Sequence, residues 1–220
     1  MARKPRPKVT RAAKSTKTAA TKETKAKERA EGIVIPKPDI RTVKVKVKGV
    51  MPLICHKFSA KAQKQIEDKQ QKKAKSAKPK RDPKQEFMDS MYPLGRGKYG
   101  IPATAFKGAM ISACRFVDGM KMTLARGAFF VVGDLLEIKG TKPTMRTDVV
   151  RLPNGSADMR YRGEFKTWGI ALVIRYNANV VSVEQIMNLL ATAGFSVGVG
   201  ERRPEQKSGD SFGTFDVEAA

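Results

Sequence analysis

The segment Gly198–Phe215, G-V-G-E-R-R-P-E-Q-K-S-G-D-S-F-G-T-F, carries the residue types best suited to binding. Gly198, Gly200 and Gly213 permit positive φ and close backbone approach. Successive amides in such turns form concavities that hold anions. Arg202 and Arg203 add planar, bidentate phosphate recognition, and Lys207 adds a point charge. The combination predicts a seat for a phosphodiester backbone rather than for a small apolar ligand. His56 is the single histidine and the one side chain whose ordinary titration lies near neutrality. It is the one candidate general base; the plainer reading is a strand-end histidine without chemistry. Asp68, Asp82 and Asp118 are possible metal ligands, but no spacing demands an ion. There is no phosphate-binding loop motif, no Ser-His-Asp order and no zinc pattern. No cofactor is called for, and the residues do not compel an enzyme.

The charge that would support polyanion binding is unevenly placed. The 220 residues carry a formal +23. Residues 1–32 contribute +8, residues 33–56 contribute +4, residues 57–88 contribute +7, and the remaining 132 residues contribute only +4. Basic arms on a nearly balanced body point to nucleic acid first and an anionic surface second. No apolar run approaches the roughly 20 residues that span a bilayer, and the N-terminal stretch lacks the apolar core of a secretory signal. Cys55 and Cys114, the two cysteines, give no disulfide framework. A reducing, cytoplasmic setting is expected.

The elements that must position these residues follow from periodicity. Residues 1–32 are Lys, Ala, Thr, Arg and Pro with almost no large aliphatic side chain, the composition of a disordered tail. Val43, Val45 and Val47 alternate with Lys44, Lys46 and Lys48, which predicts a half-buried strand with a lysine face. Those lysines read either as a backbone-binding stripe or as protection of an exposed edge. Ser59 caps an expected polar helix running from Ala60 to about Lys75, followed by a loop over 76–85. The body resumes near Phe87. A short strand then enters a helix capped by Thr104, with Phe106, Met110, Ile111 and Cys114 inward. Lys107 stands in the first turn, where a docked phosphate would relieve its conflict with the helix dipole and where solvent is the simpler destination.

Strand material follows over 128–139. A hairpin turns at Asn154-Gly155 between strands at 145–151 and 157–162. It offers Arg146, Arg151, Arg160 and Arg162 around Tyr161, for stacking and phosphate pairing on a single strand, or as a charged hairpin with Asp148 and Asp158 as partners. A strand over 168–177 leads into a helix with a capping box at Ser182 and Gln185, closing at Gly194 as C′ residue. Strands at 195–200 and 212–217 complete the chain. This β-α-β with a terminal strand is half of a ferredoxin-like fold.

Two stretches resemble a known family. I-P-A-T-A-F-K-G-A-M-I-S-A at 101–113 is similar to a segment of the RAMP superfamily of CRISPR proteins, especially the Cas7-like subunits, and 198–215 resembles that superfamily's terminal glycine-rich loop. The body over 43–217 also resembles a widespread group of small phage-encoded proteins. The resemblance implies an α+β, ferredoxin-type core of RRM kind, with an antiparallel sheet, helices on one face and a hairpin insertion. It places Lys107 and Gly108 on a phosphate-contacting segment, and Gly198, Gly200 and Gly213 on the loop. Where an arginine is expected after K-G-A-x, Met110 and Ile111 stand instead. The expected organisation is a tail over 1–32 and one domain over 33–217 with a basic insertion at about 57–90. The expected function is non-catalytic binding of RNA or single-stranded DNA, with stacking of copies into a filament implied by the family alone. The alternatives are an endoribonuclease using His56 and a virion-associated protein whose arms hold packaged genome.

Overall fold

The computed structural model describes residues 35–73, 80–152, 154–207 and 209–218, and the tail read over 1–32 lies outside them. Residues Pro38–Ala220 form one compact unit. Its strands are β1 (Ile40–Gly49), β2 (Leu53–Cys55), β3 (Tyr92–Gly95), β4 (Lys98–Pro102), β5 (Phe129–Val131), β6 (Leu135–Glu137), β7 (Lys139–Gly140), β8 (Thr144–Arg151), β9 (Ala157–Phe165), β10 (Trp168–Asn177) and β11 (Phe215–Glu218). Its helices are α1 (Ala60–Gln70), α2 (Pro83–Asp89), α3 (Ala103–Ala113), α4 (Met122–Ala128) and α5 (Val183–Ser196).

The central sheet runs β11-β1-β10-β5, with β7 added to the end of β10, and every pairing is antiparallel. Taken with α3 between β1 and β5 and α5 between β10 and β11, this is a β-α-β-β-α-β unit with spatial order 4-1-3-2, the ferredoxin-like arrangement. The expected α+β class is therefore present in the chain's own topology. Insertions build two further three-stranded sheets, β2-β9-β8 and β3-β4-β6. The stretch 128–139, expected as strand, divides between the central sheet, as β5 and β7, and the β3-β4-β6 sheet, as β6.

One face of the central sheet makes the core. Val45 and Val47 of β1 and Ile170, Leu172 and Ile174 of β10 turn inward, while Lys44, Lys46 and Lys48 turn outward. Phe106 and Met110 of α3 and Ile186, Leu189 and Leu190 of α5 cover the inner face. Phe106 and Trp168 both meet the Phe215 ring edge-on, with centroids 5.5 and 6.1 Å away. Each such fully buried large side chain contributes about 1.5–3 kcal/mol, so the short β11 is anchored mainly by Phe215.

Local signals held where the chain supplies its own partner. Ser59 Oγ accepts the Ala62 amide, and Ser182 and Gln185 complete the capping box. The expected loop over 76–85 is helical from Pro83, because Asp82 accepts the Lys84 and Gln85 amides. Residues 74–79 lie outside the described set. Thr104 is not a cap: α3 starts one residue earlier, after Pro102, with no side-chain cap, and the Ala103 amide donates to the Asp134 carbonyl. The 195–200 strand is absent, since α5 continues to Ser196. Gly194 therefore lies inside the helix. A Cβ there would sit 2.0 Å from the Phe215 carbonyl oxygen, so this glycine serves helix-to-strand contact rather than termination. Gly194→Ala is expected to lower unfolding free energy by about 2–3 kcal/mol in chemical denaturation, because backbone has to move; an unchanged midpoint would contradict this packing.

Candidate functional site

The glycine-rich loop leaves α5 at Val197, crosses the β8–β9 hairpin and returns as β11. Its glycines close it against the fold. Gly213, at φ 67°, lies so near Val199 that a Cβ would strike that residue's carbonyl oxygen at 1.8 Å. The amides of Gly198, Val199, Glu201 and Gly213 donate to the carbonyls of Ala193, Gly213, Ile54 and Pro52. Of the three glycine amides expected to stand free for an anion, those of Gly198 and Gly213 are thus occupied by backbone. Two of the acceptors are distant in sequence, Ile54 of β2 and Pro52 just before it, and the others are the last turn of α5 and the loop itself.

The arginines are likewise held. Arg202, at φ 59°, donates to both Asp210 oxygens at 2.8 and 3.0 Å and also to Asp148. Arg203 pairs with Glu205 at 3.0 Å and donates to the Gly200 carbonyl at 3.1 Å. Arg146 pairs with Asp148 at 2.9 Å and Glu164 at 2.7 Å. Its guanidinium and that of Arg202 lie 4.5 and 5.4 Å from the Phe212 ring centroid. Arg162 binds Glu201, and Arg160 joins the same carboxylate at 3.2 Å while also pairing with Asp158 at 3.7 Å. Asp148 and Asp158 are partners, as the charged-hairpin reading expected. Glu201, Asp210 and Glu205 were not singled out, although the alternation of acids and arginines in E-R-R-P-E and M-R-T-D was the available signal.

Glu201 gathers the site. Its amide ties to β2, its carboxylate to β9, and His56 Nδ1 lies 3.4 Å from Oε1. Burial alone would push the Glu201 carboxyl up. The Arg162 hydrogen bond and the charges of Arg162, His56 and Arg160 instead hold it below its ordinary value of 4.5. Burial and the Arg162 charge push the His56 imidazole below its ordinary 6.5, against the pull of Glu201. At neutral pH His56 is therefore a neutral imidazole. It borders two clefts. One, of about 320 Å³, lies between the loop and the start of α3, lined by Thr104, Ala105, Gly200, Arg203 and Gln206. The other, of about 520 Å³, lies toward α1 and α2 beside Arg81, Glu86 and Asp158. Cys55 lines the first cleft, and burial pushes its thiol up to about 12, out of reach of ordinary nucleophilic chemistry.

Lys107, Arg151 and Lys207 form no ion pair among the described residues, and Arg151 and Lys207 are exposed. Gly108 sits on an open part of α3 with nothing near its Cβ position. Asp68 pairs with Lys73, Asp82 caps α2, and Asp118 borders a separate cleft beside α5. The three do not gather, and no acid, His or Cys cluster of metal-binding kind occurs among the described residues. No helix among them is long and apolar enough to cross a membrane.

No family model matches the chain, and no curated protein matches its sequence. Among solved structures, the chain is similar to Cmr6 from Pyrococcus furiosus at 10% identity, over 83% of this chain and 100% of that one, with a TM-score of 0.44. At that level the likeness carries no argument about individual residues.

Replacing Glu201 by Gln leaves Arg160 and Arg162 without their shared anion, at an expected cost of about 2–3 kcal/mol in unfolding free energy at pH 7. Because the folded carboxyl titrates below 4.5, its contribution is complete above that pH and declines as pH falls through the folded value. Denaturation from pH 7 to pH 3 is expected to show a flatter acid limb for Glu201→Gln than for the native chain; parallel limbs would contradict the assignment.

Proposed function

We propose that this chain is a non-catalytic protein that binds the backbone of single-stranded RNA or DNA, in the manner of the RAMP-type proteins that its 101–113 and 198–215 segments resemble. The observation that carries the reading is the first cleft. There the start of α3, which has no side-chain cap, opens toward Arg203 beside a loop locked in place by glycines. The amide end of a helix favours negative charge, and Arg203 adds a planar donor set. Lys107 stands one turn along the same helix, and Lys207 on the loop and Arg151 on the hairpin form no ion pair among the described residues. Arg203, held by Glu205 and the Gly200 carbonyl, meets phosphate by exchanging the Glu205 contact, and the paired arginines Arg146, Arg160, Arg162 and Arg202, which hold the loop to the hairpin, form a second rank that does the same. Residues 1–32 and 57–88, with net +8 and +7, add sequence-independent, salt-sensitive attraction. Duplex recognition is disfavoured because the sequence carries no recognition-helix motif for a major groove.

His56 supports a second reading, an endoribonuclease. A neutral imidazole with one nitrogen toward Glu201 and a position between two clefts has the protonation state a general base needs. His56→Ala would then abolish cleavage of labelled RNA while leaving its binding intact.

The test of the first reading is a titration of labelled single-stranded RNA, single-stranded DNA and duplex DNA at several salt concentrations. The full chain is expected to favour single strands. Lys107→Ala with Arg203→Ala is expected to weaken binding about tenfold at moderate salt, and removal of residues 1–32 to reduce but not abolish it. Loss of all affinity on removing the tail would show that the folded body does not bind.

A further inference from the structure

The loop arginines are matched by carboxylates, so the unmatched charge of the folded unit lies elsewhere. A row of it lies on the outer face of the central sheet. Lys44, Lys46 and Lys48 project there from β1, Lys139 from β7 and Arg175 from β10, all exposed. Asp216 and Glu218 stand opposite Lys48 and Lys46 on β11, yet none of the three β1 lysines forms an ion pair among the described residues. Five cations thus face two carboxylates.

Protection of an exposed edge does not account for this row. Lys46 and Lys48 are flanked on both sides, by Glu218 and Asp216 of β11 and by Ala171 and Gly169 of β10. Edge protection applies only to Lys44, where β11 no longer reaches. Interior lysines have no such duty, and their mutual repulsion works against the fold.

The floor between them is built from small residues. Gly169 and Ala171 hold the outward positions of β10 opposite Lys48 and Lys46, and together with Lys139 and Gly140 they leave a trough of about 470 Å³. From β1 across β10 to β7 is two strand spacings, about 10 Å, wide enough for one extended strand. At the far end Phe130 is 45% exposed, and Arg175, its cross-strand neighbour, lies 5.7 Å from its ring. A ring and a guanidinium together offer a stacking platform for a base. Gly169 to Arg175 spans about 20 Å along the strand.

We infer that the outer face of the central sheet is a second track for a single nucleic-acid strand, with its phosphates along Lys44, Lys46, Lys48 and Lys139 and a base against Phe130 and Arg175. The inference rests on the nucleic-acid reading above but names a different surface, on the side of the sheet opposite α3 and α5.

The two are separable in one experiment. The full chain, Lys44→Gln/Lys46→Gln/Lys48→Gln, Phe130→Ala and the Lys107→Ala/Arg203→Ala variant are titrated with oligouridylate and oligothymidylate of about 20 nucleotides, longer than a typical single-module site. Salt is varied, and lysine acetylation is mapped with and without the oligonucleotide. The triple variant is expected to bind about tenfold more weakly, with the salt slope reduced by about 2, since each phosphate contact on a single strand contributes about 0.7. Phe130→Ala is expected to lose about fivefold on single strands and nothing on duplex. In the native chain, Lys44, Lys46, Lys48 and Lys139 become protected from acetylation. If the triple variant binds like the native chain and these lysines stay reactive while the cleft variant weakens, the sheet track is wrong and the cleft reading stands. If neither variant alters binding, both are wrong.

Discussion

The arrangement of this molecule around its loop depends on one carboxylate. Glu201 is fastened by its amide to β2 and by its side chain to two arginines of β9, with His56 alongside. A carboxylate this enclosed is tolerable only because cations surround it. The same condition runs the other way: Arg160 and Arg162 are held on a half-buried strand by the anion they share. Around this node, Arg202 with Asp148 and Asp210, and Arg203 with Glu205, extend the matching along the loop. The result is a long loop tied to β2, β8 and β9, and a first cleft whose walls are built from these internal contacts.

This matching separates two kinds of cation in one chain. The loop and hairpin arginines Arg146, Arg160, Arg162, Arg202 and Arg203, with planar forks suited to carboxylates, are assigned to internal pairs. Lysines, on flexible stems and strongly hydrated, stand on the outer sheet face and on α3 without an ion pair among the described residues. The distinction changes where a polyanion finds attraction. A guanidinium already bridging two carboxylates gives up one contact to gain another, whereas an unpaired ammonium only releases its counterions.

How far this was legible in the chain follows from the distance between partners. The valine and lysine alternation of β1 and the Ser182–Gln185 box are written within one turn or one strand, and both appear as read. The ferredoxin-like order could be anticipated because each helix sits between strands of plain periodicity. The errors arose where a distant residue decides. Gly194 looks like a terminator until Phe215, twenty-one residues later, is laid against it. Thr104 looks like a cap until Asp134 takes the first amide of α3. The partners of Arg160 and Arg162 and of the Gly213 amide are likewise invisible until β2, β9 and the segment before β2 meet the loop. Only the register of β9 against that loop reveals the pairing, and nothing local specifies that register.

The position of β11 bears on how the chain is made. Its Phe215 fills the core and its backbone pairs with β1, some 170 residues earlier. Contacts of such sequence separation carry a large loop-closure cost and form slowly. During synthesis the central sheet therefore stays open along β1 until β11 has been made, while the lysine-rich N-terminal arm is already outside the ribosome. In a nascent chain of this design the basic arm is therefore exposed to polyanions before the core can close.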